Sequence, residues 1–273
     1  MPELPEVETT INGIKPFILQ QKIVDIVIRQ KKLRWPIPND LLSQLSGKKV
    51  QQIERRGKYI LIIFSHGTLI LHLGMSGSLR IVDPELPPKK HDHVDIIFSN
   101  RQCLRFTDPR RFGAVLWTTE DAMQHPLLAH LGPEPLSAAF TPTYLWRKAQ
   151  GRKVALKTFI MDGRVVVGVG NIYACEALFM AGIHPQKAAT KIRLADYEKL
   201  VAAIQQVLAA AIRKGGTTLK DFVNSDGKKG YFKVHLKVYG RGGKPCLQCD
   251  TTLKELRLSQ RSTVFCPRCQ RRT

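Results

Sequence analysis

Residues 1–8 read M-P-E-L-P-E-V-E, and the rest of the chain can be read outward from them. Pro5 suits the first turn of a helix, and Val7, Ile11, Ile14 and Ile18 recur at helical spacing to give one apolar face. Glu6 and Glu8 then fall near the helix start, where the helix dipole favours negative charge. An acidic helix start accounts for this pattern by itself, and a chemical reading stands beside it. Removal of Met1 is expected because the second residue is small, and it would leave a secondary amine on Pro2. An α-amino group has a reference pKa of about 7.7–8.0, against about 10.4 for lysine, so roughly a tenth of it is uncharged near pH 7. A neutral amine can attack an aldehyde-level carbon. From a secondary amine the product is a permanently cationic iminium, which draws electrons from neighbouring carbons. Glu3 would sit beside that nitrogen.

Beyond this helix the pattern turns to short strands. They are expected at Ile23–Ile28, Val50–Arg56, Tyr59–Phe64, Thr68–Leu73, Leu79–Val82, His93–Phe98, Cys103–Phe106 and Ala114–Trp117. A short helix, Leu41–Leu45, lies among them, opened by Asn39-Asp40 and stopped by Gly47. The frequent turns suggest a sandwich or barrel-like pair of sheets. Gly57-Lys58 marks a hairpin tip, where Lys58 is either a solvated turn lysine or a long arm. Two loops carry side chains of less usual placement: L-G-M-S-G with Met75, and D-P-R-R-F-G with Arg110, Arg111 and Phe112. Met75 and Phe112 can be core residues or wedges presented to a base stack.

Helices follow. One is expected over Thr119–Leu131, broken at Pro126, and another starts at Thr141-Pro142. The next spans Lys153–Met161 and includes Lys157. In G-V-G-N-I-Y-A-C-E, residues 168–176, two glycines precede a helix beginning at Asn171, a geometry that either makes a tight turn or offers backbone amides to a phosphate. The last long helix runs from about Ala195 to Lys214. Residues 215–233 show little apolar periodicity, which marks a functional or mobile loop.

The chain has 273 residues, is 43% hydrophobic and carries a formal charge of +21. Such an excess points to a polyanionic partner, nucleic acid before an anionic membrane surface. No run of 18 apolar residues exists, and the start is acidic with no signal-like core, so a soluble intracellular protein is expected. Cys246-x-x-Cys249 and Cys266-x-x-Cys269 lie sixteen residues apart, within the spacing of a tetrahedral four-cysteine zinc site. Four thiolates leave no open position, so this zinc would be structural. Eight cationic side chains in residues 241–273 face only Asp250 and Glu255, as suits a nucleic-acid-binding ribbon. Cys103 and Cys175 are left over as buried free thiols.

Taken in order, M-P-E-L-P-E-V-E, R-R-G-K, L-G-M-S-G, D-P-R-R-F-G, G-V-G-N-I-Y-A-C-E and the four cysteines closely resemble the bacterial formamidopyrimidine-DNA glycosylases across essentially the whole chain. The resemblance implies an α+β multidomain protein. Residues 1–131 would form an N-terminal β-sandwich catalytic domain with flanking helices. Residues 132–240 would form a linker and a helix–two-turn–helix DNA-binding domain, with a damage-recognition loop in 217–231. Residues 241–273 would form the zinc-finger hairpin. It implies a base-excision repair enzyme that removes 8-oxoguanine and formamidopyrimidines from duplex DNA and cleaves the abasic strand by β,δ-elimination. Carried over by motif, Pro2 is the nucleophile, Glu3 the acid, Glu6 a supporting carboxylate and Lys58 a contact to phosphate near the lesion. Met75, Arg110 and Phe112 fill the space of the extruded base. Arg111, Asn171 and Arg261 bind phosphate, with His91 and Lys157 as further DNA contacts. One structural zinc on Cys246, Cys249, Cys266 and Cys269, no catalytic cofactor, a monomer and a bacterial cytoplasmic location at the nucleoid complete the expectation. The related endonuclease VIII branch, acting on oxidised pyrimidines, usually has glycine where this chain has Leu4. A non-enzymatic zinc-ribbon DNA-binding protein is the other alternative, and it would have no use for Pro2 or Glu3.

Overall fold

The computed structural model describes residues 1–216 and 236–271. The chain divides into two compact units, one built on Met1–Ala129 and the other on His130–Arg213 with the described C-terminal segment. The four-cysteine hairpin thus shares a unit with the helices.

In the first unit, helix α1 (Leu4–Ile18) starts with a capping box: Glu3 is the N-cap, and its backbone N–H donates to Glu6 Oε2 at 2.8 Å. The box satisfies N–H groups that every helix start leaves without intrahelical partners. Val7, Ile11, Ile14 and Ile18 are at most 4% exposed, so the expected apolar face is the buried one. It packs among two four-stranded antiparallel sheets. The first sheet runs β1 (Ile23–Ile28), β6 (Asp92–Phe98), β7 (Cys103–Thr107), β5 (Ser78–Val82). The second runs β2 (Gln52–Arg56), β3 (Tyr59–Phe64), β4 (Gly67–His72), β8 (Ala114–Thr118), and α2 (Leu41–Leu45) packs beside β1. Ile60, Ile62 and Phe64 alternate into the shared core with Val94, Ile96, Phe98, Leu104 and Phe106.

A charged cluster is buried in the first sheet. Arg105, 1% exposed, donates from Nε and Nη2 to Asp95 at 2.8 Å each, and Arg29 adds a bond of 2.6 Å. Burial pushes Asp95 up, but the hydrogen bonds from Arg105 and Arg29 outweigh it and hold the carboxyl below its usual range. Cys103 is buried beside this cluster; burial and then the charge of Asp95 push its thiol up to about 12.

The second unit holds α3 (Pro142–Ala149), α4 (Leu156–Ile160), α5 (Asn171–Met180) and α6 (Leu194–Arg213). The Thr141 hydroxyl accepts from Tyr144 N and caps α3. Residues Ile172–Phe179 of α5 are all buried, which is why this helix shows no one-sided pattern. On α6 the buried face is Tyr197, Leu200, Val201, Ala203, Ile204, Leu208 and Ala211. The hairpin β9 (Lys254–Leu258) and β10 (Arg261–Phe265) turns through Ser259 and Gln260, both at positive φ, as two-residue hairpins favour.

Two expected helices come out differently. Over 119–131 only a 3-10 turn forms, at Ala122–Gln124. The Asp121 carboxylate takes Met123 N at 2.9 Å, a local bond that competes with helix extension. Pro126 then disfavours helical geometry at His125, which sits at ψ 136°. The helix expected over Lys153–Met161 begins only at Leu156, because Ala155 bridges Ala188 and Val154 O accepts from Ala189 N.

Candidate active site and nucleic-acid interface

The helix start and the β2–β3 turn are joined by an ion pair. Pro2 is buried, Glu3 is 2% exposed and Glu6 is fully buried, so the capping box holds Glu3, the residue after Pro2, at a buried helix start. Glu8 on the same helix accepts from Arg55 Nε at 2.6 Å, and Arg55 Nη1 donates to Gly57 O at 3.3 Å. One guanidinium therefore ties α1 to the tip that carries Lys58. Gly57, at φ +58°, occupies the loop position where a two-residue hairpin favours glycine.

The charge of Lys58 is felt at His72, which pairs with Tyr59 across β3 and β4. Burial first, then the charges of Lys58 and Arg34, bring the His72 pKa down to about 4. A neutral ring fits its contact, since Nδ1 accepts from Gly74 N at 3.0 Å. The histidine so links the lysine tip to the L-G-M-S-G loop.

That loop is stapled to D-P-R-R-F-G by a fully buried carboxylate. Asp108 accepts from Ser76 Oγ at 3.1 Å and from Gly113 N at 2.7 Å, while Arg110 N donates to Ser76 Oγ at 3.3 Å. His93 Nε2 holds Asp108 O at 2.8 Å. Gly74, at φ +60°, leaves no room for a side chain: a Cβ there would lie 2.4 Å from the Phe112 carbonyl carbon. The staple brings Met75, Arg110 and Phe112 to one edge. Met75 is half-buried, Phe112 is 43% exposed, and the Arg110 guanidinium lies 5.0 Å from the Phe112 ring centroid. Phe112 is thus displayed rather than packed in the core. Arg111, exposed at φ +55°, faces with half-buried His91 into a groove of about 350 Å³ that Arg29, Lys89 and Lys90 also line.

In the second unit Asn171 and Arg261 are brought together, and Lys157 is the reason. Lys157 was expected as a DNA contact, yet it is 1% exposed. Its ammonium donates to Asn171 Oδ1 at 2.5 Å, Ser262 O at 2.9 Å and Thr263 Oγ1 at 2.6 Å. A desolvated ammonium needs such acceptors, so Lys157 is a pillar between α4, α5 and the hairpin and not a side chain that reaches out to DNA. Asn171 Nδ2 also donates to Ser262 O. Arg261, the next residue back, is exposed at the hairpin tip.

The four cysteine sulfurs lie within 4.8 Å of one another. The Cys249–Cys269, Cys249–Cys266 and Cys246–Cys269 separations are 3.4, 3.5 and 4.0 Å. A tetrahedral zinc with bonds near 2.3 Å sets sulfurs about 3.8 Å apart, so the donor set fits that ion. Hydrogen bonds from the Thr251 hydroxyl and backbone hold the Cys249 thiol down at about 6, whereas burial and the neighbouring sulfurs push Cys269 up. The knuckle is fastened to α5 by Glu176, 5% exposed, whose carboxylate accepts from the N–H groups of Lys237, Val238 and Tyr239.

Asp108, His72, Arg55 and Glu176 are functional neighbours that the sequence did not reveal. Arg55, Asp108 and Glu176 act through partners far away in the chain, and only their motif membership hinted at them; His72 lies outside every motif. The expected damage-recognition loop, 217–231, lies outside the described residues.

Comparison with known proteins agrees along the chain. Residues 1–115 match the formamidopyrimidine-DNA glycosylase N-terminal domain, 131–223 the H2TH domain of the same proteins, and 243–272 the zinc finger found in FPG and IleRS. The formamidopyrimidine-DNA glycosylase of Methylococcus capsulatus is 59% identical over 271 residues, covering 99% of this chain and 100% of that protein. A crystal structure of a Lactococcus lactis Fpg mutant with Fapy-dG-containing DNA superposes with a TM-score of 0.92 at 32% identity, covering 99% of this chain and 100% of that one. A structure of MutM with DNA containing carbocyclic 8-oxo-G gives 0.91 at 33% identity with the same coverage. The zinc finger accordingly carries one structural zinc on its four cysteines. With its N-terminal domain, its helical domain and its finger all matched, the chain belongs to the formamidopyrimidine-DNA glycosylase family.

Proposed function

We infer that this protein excises oxidised purines, 8-oxoguanine and formamidopyrimidines, from duplex DNA and then cleaves the abasic strand. The observation that carries the reading is the buried helix start, where Pro2 and the Glu3–Glu6 capping box are tied through Glu8 and Arg55 to the Lys58 turn.

The Pro2 amine, once Met1 is removed, attacks C1′ of the damaged nucleotide as the C1′–base bond breaks. Glu3 protonates the deoxyribose ring oxygen, the ring opens, and the nitrogen and C1′ form an iminium. Glu3, now a carboxylate, takes the C2′ proton while the iminium takes up the electrons of the C2′–H bond, and the 3′ phosphate leaves by β-elimination; the 5′ phosphate follows by δ-elimination. Glu6 keeps Glu3 in register through the N-cap bond, and Lys58 binds phosphate beside the lesion. Extruding the base costs a few kcal/mol, which Met75, Arg110 and Phe112 offset by filling the vacated stack. Arg111, His91, Asn171 and Arg261 hold backbone phosphates without reading sequence, and Lys157 fixes the last two. On this reading residues 1–131 are catalytic, 132–240 grip DNA and carry the damage loop, and 241–273 form the finger. The protein works as a monomer in the bacterial cytoplasm at the nucleoid. No described helix is long and apolar enough to cross a membrane.

Borohydride trapping tests the assignment. Protein lacking Met1 is mixed with a duplex containing 8-oxoguanine opposite cytosine, reduced, and digested for mass spectrometry. An adduct on Pro2 is expected. No adduct on this duplex, with one on an oxidised-pyrimidine duplex, would move the chain to the endonuclease VIII-like reading. No adduct on either would leave a DNA-binding protein without the chemistry.

A further inference from the structure

Strands β3, β4 and β8 each have one end at the edge that carries Lys58, Met75 and Phe112. β3 leaves the Lys58 turn and ends at Phe64, β4 runs from Gly67 toward Gly74, and β8 leaves the Phe112 loop and ends at Thr118. Strands of this length span about 17–20 Å, so the Ser65-His66 turn and the chain after Thr118 lie roughly that far from the wedge edge. At this far end the outer face of the second sheet forms a pocket of about 470 Å³.

Strand register decides what lines it. Ile60, Ile62 and Phe64 point into the core, so Leu61 and Ile63 between them point outward. Glu54 pairs with Leu61, and Gln52 and Thr68 both pair with Ile63, which puts these side chains on the same outer face. The chain leaving β8 supplies the rim. Asp121 turns back on Met123 N, and the short 3-10 turn leaves Glu120 and Asp121 exposed and Met123 38% exposed. The pocket thus has an aliphatic floor and three carboxylates, Glu54, Glu120 and Asp121, and no Lys or Arg lines it. Arg56 shares the outer face of β2 but lies toward the Lys58 turn, outside the pocket.

This sign runs against the chain as a whole, whose 43 Lys and Arg face 22 Asp and Glu. None of the three carboxylates is in an ion pair among the described residues. The groove beside Arg111 is the contrast, with Arg29, Lys89, Lys90 and Arg111 against Asp92. The wall holds one further acceptor. His66 Nε2 lies 3.0 Å from Gln44 O, and since a carbonyl only accepts, Nε2 carries the proton and Nδ1 is left as an acceptor. That Nδ1 is enclosed and meets no donor.

We propose that this pocket docks a cationic segment of a partner protein, an extended stretch with arginine or lysine beside an apolar residue. Carboxylates repel phosphate, so nucleic acid is the wrong occupant. Guanidinium groups donate to carboxylates in pairs, and long cationic side chains lay their aliphatic stems on apolar surface such as Ile63 and Met123. The three carboxylates do not converge as a metal-ligating group. Docking uses the far ends of β3, β4 and β8, so the Lys58 turn and the wedge loops stay open while the partner is held.

Fluorescence anisotropy with the full zinc-loaded protein, free of DNA, tests it. The probe is a labelled, end-capped peptide with one leucine between two arginines; its control carries citrulline in place of arginine. The strongly basic remainder of the surface repels such a probe, so saturable binding in about 0.1 M salt reports on the acidic pocket. Wild type is expected to bind the arginine probe and not the citrulline one. Glu54→Gln/Glu120→Gln, near-isosteric changes at exposed positions, is expected to weaken binding about tenfold, and Glu54→Lys/Glu120→Lys to abolish it. Thermal unfolding and excision should stay at the wild-type level in both variants. Equal binding by wild type and the glutamine variant would overturn the proposal, as would no binding by wild type. So would a wild type that binds spermidine through these carboxylates in place of the peptide, or one that self-associates through them in sedimentation.

Discussion

The loop edge that displays Phe112 and the hairpin tip that displays Arg261 reach the same end from buried charges of opposite sign. Beneath the first lies Asp108, which collects a hydroxyl and the Gly113 N–H. Beneath the second lies Lys157, which collects an amide oxygen, a carbonyl and a hydroxyl. The difference follows from the backbone. Tight loops turn N–H groups inward and need an anion, whereas the strand leaving the hairpin turn directs the Ser262 carbonyl toward its support and needs a cation. In both places the exposed group is cheap to change and the buried one is not.

The largest expected effect breaks the comparison altogether. Chelating the zinc removes a binding free energy that in small fingers is about 10 kcal/mol or more. The hairpin should unfold, and DNA affinity should fall with it while the sandwich survives. Circular dichroism and DNA titration after chelation measure both halves.

Exchanging the buried charges sharpens the contrast. Lys157→Met leaves three acceptors without their donor and is expected to cost about 3 kcal/mol; Asp108→Asn keeps one acceptor and should cost about 2 kcal/mol. The first variant should lose phosphate grip, seen as a shallower salt dependence of binding. The second should bind undamaged DNA normally yet excise poorly, because the wedge loop is released. Equal damage to both readouts in both variants would refute the division of labour.

A pH effect of similar size belongs to the loop side alone. Folded His72 stays neutral down to about pH 4, whereas its ordinary value is 6.5. Between these values the unfolded chain binds more protons, so stability falls as pH drops through the window, by on the order of 3 kcal/mol at most. Asp95, held low by Arg105 and Arg29, adds a loss only at still lower pH. Urea unfolding at pH 7 and pH 4.5 should show the drop, and His72→Gln should flatten it.

The smallest effect on stability comes from the exposed partner. Phe112→Ala should leave stability within about 0.5 kcal/mol of wild type, as surface changes do. Single-turnover excision from a well-paired duplex should nevertheless slow, and excision from a mismatched site, where extrusion is easier, should slow less.

Periodicity made the local elements legible. Strand Ile23–Ile28 and helix Leu41–Leu45 carry the expected ends, and the long helix ends within one residue of expectation. The metal site was legible because both C-x-x-C pairs are local. What stayed hidden are bonds between distant residues, such as Ser76 with Asp108 or Lys157 with Thr263, since no spacing rule encodes them. Lys157 misled for the same reason: a lysine in a basic protein reads as a surface cation until the fold closes over it. The segment 119–131 misled because an Asx turn and Pro126 outweigh its helical composition.

The close approach at Gly74 has a genetic consequence. A Cβ there collides with the Phe112–Gly113 backbone, so one codon governs the shape of two loops that lie more than thirty residues apart in the message. In a saturation library, position 74 should tolerate as little as the cysteine quartet, while Phe112, the residue that would do the intercalating, accepts other bulky side chains. Selection on the wedge would then be read most clearly at a residue with no side chain at all.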